Sequence, residues 1–425
     1  MKYIYQRSIK GCFTIIKYPI SLLFILLLIN SKSYGQTLSL DSIFNKIENN
    51  NSSLRSYQNK IKAEDELVNG ASMWMAPTLS AEWDDIMYKF DAAGSQMRIT
   101  VMQQFPNPRV IQAKENYLKS ASSITKNQGE FEKNELFQQA KEAYYNRYIA
   151  AQNSQILEAN KGTIEVMITL AEKQIAIDKL DLASIYKLKA RLSENKNMLL
   201  REKNMIHESN LKLNYLMNQD LNSDFEIDTS NLIKNYQQPQ NSVKLDSLDC
   251  NRSDILTMNS QINTMKLKQS LTYLNALPNY GIRIGNFTRF GGRSDAFAIM
   301  GTMSIPIAPW YSKGYKSEIN SMGYEIKAME QSKQNMLKMA KQMIALYLSE
   351  MQLRAEELRN YREEVIPAYQ NSLNLNLLSY GQNTGELTMT LLAWDDLQMA
   401  QLAYLKVLSS YLSAQSQYEK ALQIQ

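Results

Sequence analysis

The feature that most constrains this chain is how rarely proline and glycine interrupt it. Residues 109–238 contain no proline and only two glycines, and residues 310–366 again contain no proline. Both stretches are rich in Lys, Glu, Gln, Ala, Leu and Met, which are good helix formers. At 1.5 Å of rise per residue, a continuous helix over 109–178 would be roughly 100 Å long. Because that is several times the length of an ordinary globular helix, the sequence predicts a mainly α-helical, elongated molecule.

The two stretches carry signals for where their helices start and how they pack. Asn107 and Pro108 form a common helix start, an N-cap residue followed by proline in the first turn, and Pro309 can open the second stretch in the same way. In the first stretch, apolar residues recur at spacings of 4, 3 and 4: Ile164, Ile168, Ala171 and Ile175. This spacing predicts a coiled-coil-like seam that needs neighbouring helices.

Two short blocks between the helical stretches, 77–106 and 278–306, alternate like β-strands. A polar turn at 91–94 or 291–294 divides each block into two strands of about ten residues. An apolar side alternating with a polar side is the weak signature of a transmembrane β-barrel strand. The alternative is a pair of soluble hairpins with one buried face. The alternating apolar residues are Leu79, Ala81, Trp83, Met97, Ile99, Val101, Tyr280, Ile282, Ile284, Phe297 and Ile299.

The prolines also reveal an internal duplication. Pro77 and Pro278 are 201 residues apart, and so are Pro108 and Pro309. Each half reads as a helix, a hairpin, a very long helix, a turn and a helix. We therefore predict a first structural repeat at 36–217, a polar linker at 218–245 and a second repeat at 246–425.

The first 35 residues read as a secretory signal peptide. They contain five basic residues and no acidic one, an apolar run at 22–29, and small residues before a cleavage point at Gln36. Cleavage would leave 42 Lys and Arg against 42 Asp and Glu, so the charge of +5 for the whole chain gives no reason to expect a nucleic-acid partner. No later stretch approaches the 18 apolar residues of a membrane helix, and membrane contact would need another structure.

The chain contains too few histidines and cysteines for several kinds of metal site and catalytic site. The chain has one His and two Cys, too few for a Cys₂His₂ or His₃ metal site. After cleavage only Cys250 would remain, which rules out an intrachain disulfide. Since no acid–base pair, nucleophile elbow or phosphate loop is visible and His207 lies in a helical segment, we expect neither an enzyme nor a bound cofactor.

Four strands cannot close a barrel, and an open sheet edge is not tolerated in lipid. Three copies would supply twelve strands, and their long helices could pack side by side into a cylinder below the sheet. The residues alone thus predict a trimeric tunnel in an outer membrane. The competing hypothesis is a secreted coiled-coil rod with a structural or tethering role.

An ordered set of short motifs resembles the TolC-like outer membrane efflux proteins over nearly the whole mature chain. The most specific piece is Val365-Ile366-Pro367 followed by 380–387 and Leu391-Leu392-Ala393-Trp394, which is similar to that family's last long helix, periplasmic turn and returning helix. The other pieces are 40–43, 49–54, 76–80, 103–108, 277–280 and 304–307. The sequence departs from the family at 178–181, where the expected tip glycine is missing, and in having no lipid-anchor Cys.

The resemblance implies a complete architecture and a set of partners. It implies a homotrimer in outer-membrane lipid, with a 12-stranded β-barrel of four strands per chain continued by a long α-helical periplasmic barrel. It also implies a passive exit duct that works with a periplasmic adaptor protein and an inner-membrane pump of RND or ABC type.

Nine residues are candidates for function. Asp178, Asp181 and Glu386 would form carboxylate rings at the periplasmic tip and favour cations there, unless they are ordinary solvated turn residues. Pro367 would kink the last long helix so that the cylinder can taper, unless it simply separates two helices. The candidates for the barrel lumen, whose facing a one-residue error in register would reverse, are Glu82, Asp84, Arg98, Arg283 and Arg289.

Methionine is plentiful and admits two interpretations. Thioethers bind Cu(I) and Ag(I), which would suit a heavy-metal exporter, whereas methionine also replaces leucine as adaptable packing. One group surrounds the first hairpin and a second shares a helical face: Met73, Met75, Met87, Met97 and Met102, and Met336, Met339 and Met343. His207 is expected to be a surface residue.

Overall fold

The computed structural model describes residues 37–84, 95–175, 182–229, 252–274, 276–291, 294–306, 308–382 and 384–423. The predicted signal peptide, Cys250, Met87, Asp178 and Asp181 lie outside these ranges.

The chain is mainly helical with a small β part, as predicted. The helices are α1 (Leu40–Asn50), α2 (Ser52–Asn69), α3 (Pro108–Ile175), α4 (Leu182–Leu216), α5 (Ser253–Leu274), α6 (Pro309–Asn360), α7 (Ile366–Gly381) and α8 (Leu387–Leu422). The strands are β1 (Thr37–Leu38), β2 (Thr78–Asp84), β3 (Gln96–Phe105), β4 (Glu226–Ile227), β5 (Tyr280–Arg289) and β6 (Ala296–Met303).

The longest helix starts where the sequence predicts. The backbone N–H of Arg109 donates to Oδ1 of Asn107 at 3.0 Å, and Pro108 occupies the first turn, where its missing N–H costs nothing. Helix α3 then runs for 68 residues, which is roughly 100 Å. Helix α6 likewise begins with its proline in the first turn, and it extends over 52 residues.

The two hairpins form one antiparallel sheet of strand order β2-β3-β5-β6. The contact between the hairpins is the β3–β5 ladder, which runs from Gln96 opposite Arg289 to Phe105 opposite Tyr280. The sequence indicated two hairpins but not that they pair with each other. Strands β2 and β6 are the outer strands, and within the described sheet each has a partner on one side.

The helices pack around two apolar clusters. A central cluster joins α1, α3, α4, α6 and α8 and contains Tyr144 and Tyr411. A tip cluster joins α3, α4, α7 and α8 and contains Ile164, Leu188 and Trp394. Ile164 and Ala171 of the predicted seam are fully buried in the tip cluster, and Ile168 packs against it.

A short parallel bridge at the central cluster was not expected from the sequence. Strand β1 pairs with β4, which lies inside the predicted linker. Arg147 of α3, buried beside it, donates from Nε to Oδ1 of Asn210 at 2.6 Å and from Nη2 to the carbonyl of Phe225 at 2.7 Å. These hydrogen bonds fasten the segment that follows α4 to the side of α3.

Within the described residues, no helix combines the length and apolarity needed to cross a membrane.

Candidate functional site

The four-stranded sheet has one apolar face and one polar face. Leu79, Val101, Ile284 and Ile299 pair in turn across all four strands and are exposed, with 71% of Leu79 and 69% of Ile299 accessible to solvent. Exposed apolar rows of this kind mark a surface that contacts something other than water. The next row of cross-strand neighbours on this face is Ala81, Ile99, Asn286 and Phe297, and only Asn286 is polar.

Glycines show that the polar face is the concave one. A Cβ on Gly285 would lie 2.8 Å from Cγ2 of Thr100, its partner across β3–β5, and a Cβ on Gly281 would lie 2.6 Å from Oγ1 of Thr302. On the apolar face, a Cβ on Gly301 would meet nothing within 4 Å. Side chains therefore converge on the polar face and diverge on the apolar face, as they do when a sheet curves.

All five predicted lumen residues lie on the concave face. Three of them form one network, in which Nη1 of Arg98 is 3.2 Å from Oε2 of Glu82 and Nη2 is 2.8 Å from Oδ2 of Asp84. The Arg98 guanidinium also lies 4.7 Å from the ring centroid of Phe287. Two carboxylates thus more than neutralise this arginine, and the three side chains together carry a net charge of −1. That the concave face lines a lumen stays a prediction.

Arg283 and Arg289 also lie on the concave face, but neither pairs with Glu82 or Asp84. Nη2 of Arg283 lies 3.6 Å from Sδ of Met102, its partner across the ladder, and its buried Nε has no hydrogen-bond partner among the described residues. Arg289 is exposed at the end of β5. No ion pair joins either arginine to a carboxylate within the described part of the chain.

Aromatic side chains flank the apolar face at both ends of the sheet. Trp83 stacks on Phe290 at one end, with ring centroids 5.6 Å apart. At the helical end, Trp74 packs edge-on against Phe105 at 5.2 Å, and Trp310 is 86% exposed. Tryptophan and other aromatics in this arrangement are typical of the girdles that bound an apolar band in outer-membrane sheets.

The turn between α7 and α8 is held by one carbonyl. The Ser379 carbonyl accepts from the backbone N–H groups of Thr384 and Gly385 and from the Thr384 hydroxyl, at 2.9–3.0 Å. A Cβ on Gly385 would lie 2.9 Å from Cβ of Ser379, so the turn needs glycine there. Glu386 follows it, exposed, and its side chain caps nothing. Asp178 and Asp181 lie outside the described residues, and the predicted carboxylate rings remain untested.

A polar contact near this turn, which sequence reasoning missed, joins the two helical hairpins. Nη2 of Arg191 on α4 is 2.8 Å from Oδ2 of Asp395 on α8. Burial raises the pKa of Asp395 above its ordinary value, and Arg191 only partly offsets this effect. The two residues are 204 positions apart and carry no motif, so nothing in the sequence indicates that they meet.

Beside this ion pair lies a cavity of about 260 Å³ between α4 and α8. Asn195 lines it with 1% of its surface exposed, and neither polar atom of its side-chain amide has a partner among the described residues. Nε1 of Trp394 is likewise buried without a hydrogen-bond partner among the described residues. Buried amides of this kind are normally satisfied by water.

Pro367 lies just beyond a π-helical turn, Tyr361–Val365, that separates α6 from α7. The N–H of Ile366 donates to the carbonyl of Tyr361, five residues back. Proline has no N–H and its ring crowds the carbonyl four residues before it, so a widened turn accommodates it without ending the helix. Helical structure thus continues from α6 through the π turn into α7, whereas the sequence left open a complete break.

The predicted methionine groups differ in placement. Met97 and Met102 lie on opposite faces of the sheet, and Met102 contacts a guanidinium. Met339 and Met343 are exposed on one side of α6. His207 is exposed on α4. Among the described residues, no group of three or more His, Cys, Asp or Glu side chains could hold a metal ion.

Comparison with solved structures identifies the architecture. The chain superposes on the outer-membrane channel OprN (TM-score 0.73, 14% identity, 90% of this chain and 89% of that one). It matches CusC at TM-score 0.75 and 12% identity over 90% and 91% of the two chains. The CmeC channel of Campylobacter jejuni gives 0.73 and 14% over 90% and 85%. The chain has the TolC-like fold.

The short sequence motifs predicted the TolC-like fold correctly, and the superposition confirms it at low overall sequence identity. No family model matches the chain, and no curated protein matches it. At 12–14% identity, the similarity to these channels establishes the fold alone.

Proposed function

We propose that this chain is the outer-membrane exit duct of a tripartite efflux system. The observation that carries the proposal is the sheet, whose convex face is apolar and exposed while its concave face holds the charged side chains. A sheet of this design suits a barrel wall with lipid outside and water inside. The similarity to OprN, CusC and CmeC, which are described as outer-membrane or transmembrane channels, supports the same function.

Closure of the wall is proposed to need three copies. Four strands per chain give twelve, with β6 of one copy pairing with β2 of the next, so that no edge is left open in lipid. Below the sheet, exposed apolar residues on α4 and α6 would be covered by neighbouring copies as the helices form a periplasmic cylinder. They include Tyr186, Leu200, Leu346 and Leu353.

The chain is proposed to be divided and processed as its sequence predicts. Residues 1–35 would be removed as a signal peptide. The two repeats, 36–217 and 246–425, would each supply one hairpin and one pair of long helices, joined through 218–245 at the central cluster. In each half, helical structure precedes the hairpin and long helices follow it.

The duct is proposed to be passive and not an enzyme. Energy would come from an inner-membrane pump of RND or ABC type, and a periplasmic adaptor would connect the pump to the turns that contain Glu386 and, in the first repeat, Asp178 and Asp181. The substrate could be a drug or a heavy-metal cation, and we propose a drug, because Met102, one of the candidate thioether ligands, is already in contact with the cationic Arg283.

Two measurements on the purified protein test this function. In detergent, its mass should be that of a trimer, and in planar lipid bilayers it should produce stepwise ionic currents. A monodisperse monomer in the aqueous periplasmic fraction, giving no current, would contradict the proposal. That outcome would instead support the rod hypothesis, which the exposed apolar face of the sheet argues against.

The substrate class is tested in cells that lack the protein. If drugs are the substrate, deletion should sensitise cells to dyes and detergents at least as strongly as to copper or silver. Selective sensitivity to copper and silver would restore the metal-exporter hypothesis.

A further inference from the structure

The charged groups on the concave face of the sheet do not balance. Three guanidinium groups, Arg98, Arg283 and Arg289, face two carboxylates, Glu82 and Asp84, among the described strand residues. Both carboxylates are within 3.2 Å of Arg98, so the compensation is concentrated at one place. This network carries a net charge of −1, while Arg283 and Arg289 each carry +1 without a carboxylate partner, so the described face keeps one net positive charge per chain.

The uncompensated charge is best localised at Arg283. It lies four residues along β3 from the Arg98 network, since its cross-strand partner is Met102, and four residues of strand span roughly 13 Å. Its neighbours in the row are Thr78, Met102 and Met300, none of which is an anion. Arg289, by contrast, lies at the exposed end of β5, where water screens it.

The environment of Arg283 favours an anion as its missing partner. Its side chain is half-buried, its Nε is buried without a hydrogen-bond partner among the described residues, and its Nη2 reaches only a weak thioether acceptor at 3.6 Å. Desolvated donors of this kind gain most from a charged acceptor. Gly281 and Gly285, the neighbours of Arg283 on this face of β5, carry no side chain, and Arg283 keeps part of its surface exposed.

We propose that Arg283 is an anion-binding residue of the conduit, so that three copies form a cationic ring and the duct favours anionic over cationic substrates at the sheet. This inference rests on the proposed function, because it requires the concave face to line a shared lumen. The expected ligands carry a carboxylate, sulfate or phosphate group. The carboxylates predicted at the periplasmic tip would act separately, because helix α3, roughly 100 Å long, leads away from the sheet towards that end.

The test is ion selectivity of the purified trimer in planar bilayers under a KCl gradient. The substitution Arg283→Gln should lower the anion-to-cation permeability ratio at least roughly threefold at about 0.1 M salt, because ions that pass within about one Debye length (~10 Å) no longer meet three positive charges. Arg283→Lys keeps the charge and should keep the ratio near that of the wild type. Elution as a trimer shows that each variant is assembled.

The outcomes separate the two proposals. Currents whose selectivity is the same in the wild type and in Arg283→Gln would overturn the role of Arg283 and leave the duct intact. A lowered ratio in Arg283→Lys equal to that in Arg283→Gln would also overturn it, because the charge would not be responsible. Absence of current from every assembled protein would overturn the duct and this inference with it.

Discussion

At the scale of single residues, curvature of the sheet depends on the absence of a side chain at a few positions. The concave face brings Thr100 and Thr302 so close to their cross-strand partners that only glycine fits opposite them. On the convex face the same substitution has free space. Because the two faces differ in this way, a pair of glycine variants can report which side of the sheet is crowded.

Gly285→Ala is therefore expected to destabilise the folded protein. The new Cβ would lie 2.8 Å from Cγ2 of Thr100, and relieving such overpacking typically costs about 1–3 kcal/mol. Thermal unfolding of the detergent-solubilised protein should show a lower midpoint. Gly301→Ala is the matched control, since nothing lies within 4 Å of its Cβ position. Equal effects of the two substitutions would mean that the sheet is not curved as described.

The ion pair between Arg191 and Asp395 makes a prediction about pH. Burial raises the pKa of Asp395 above its ordinary 3.8, so the folded protein holds this proton more tightly than the unfolded chain. The resulting stabilisation is fully present below pH 3.8 and is lost as the pH rises through the folded-state value.

Asp395→Asn should remove this part of the pH dependence without lowering stability at neutral pH. Arg191→Met should destabilise the protein at neutral pH, because it leaves a half-buried carboxylate without its cation. Unfolding midpoints measured for both variants at acid and neutral pH test this pair. A loss of stability in Asp395→Asn as large as that in Arg191→Met would contradict it.

At the scale of elements, proline has opposite consequences at two places in the second repeat. Pro309 occupies the first turn of α6, where a backbone N–H would have no helical partner. Pro367 follows the π turn, in the interior of an otherwise continuous helical segment. The same residue thus starts one helix and distorts the course of another.

Pro367→Ala should convert the π turn to regular α-helix. The new N–H can donate to the carbonyl of Glu363, and removing an interior proline relieves up to about 3 kcal/mol. Hydrogen exchange should become slower across Tyr361–Val365. Pro309→Ala should leave exchange at the start of α6 unchanged. If exchange at the π turn stays as fast as in the wild type, the proline is not what maintains it.

The sequence predicts the elements better than their partners. Asn107, Pro108 and Pro309 mark helix starts that the structure reproduces, because capping is a local property. The β3–β5 ladder, the β1–β4 bridge and the π turn could not be predicted, since each depends on contacts between distant segments or on a small backbone adjustment. Strand alternation placed five charged residues on one face, but only the ladder reveals that Arg98 has two acidic partners and Arg283 none.

At the scale of the whole molecule, a single chain leaves apolar side chains exposed on both the sheet and the long helices. The convex face exposes rows of aliphatic side chains, and two outer strands have one neighbour each in the described sheet. Lipid on one side and further copies at the edges would satisfy both. The central claim is therefore that consecutive residues of one strand face different media, hydrocarbon and lumen water.

Spin labels on neighbouring residues of β6 test that claim most directly. Ile299→Cys and Ala298→Cys, each made with Cys250→Ser, place a label on the convex and on the concave face of the reconstituted protein. The label at 299 is expected to be relaxed mainly by oxygen, which partitions into lipid, and the label at 298 mainly by a water-soluble nickel complex. If the nickel complex reaches both labels equally, the sheet lies in water and the proposed conduit is wrong.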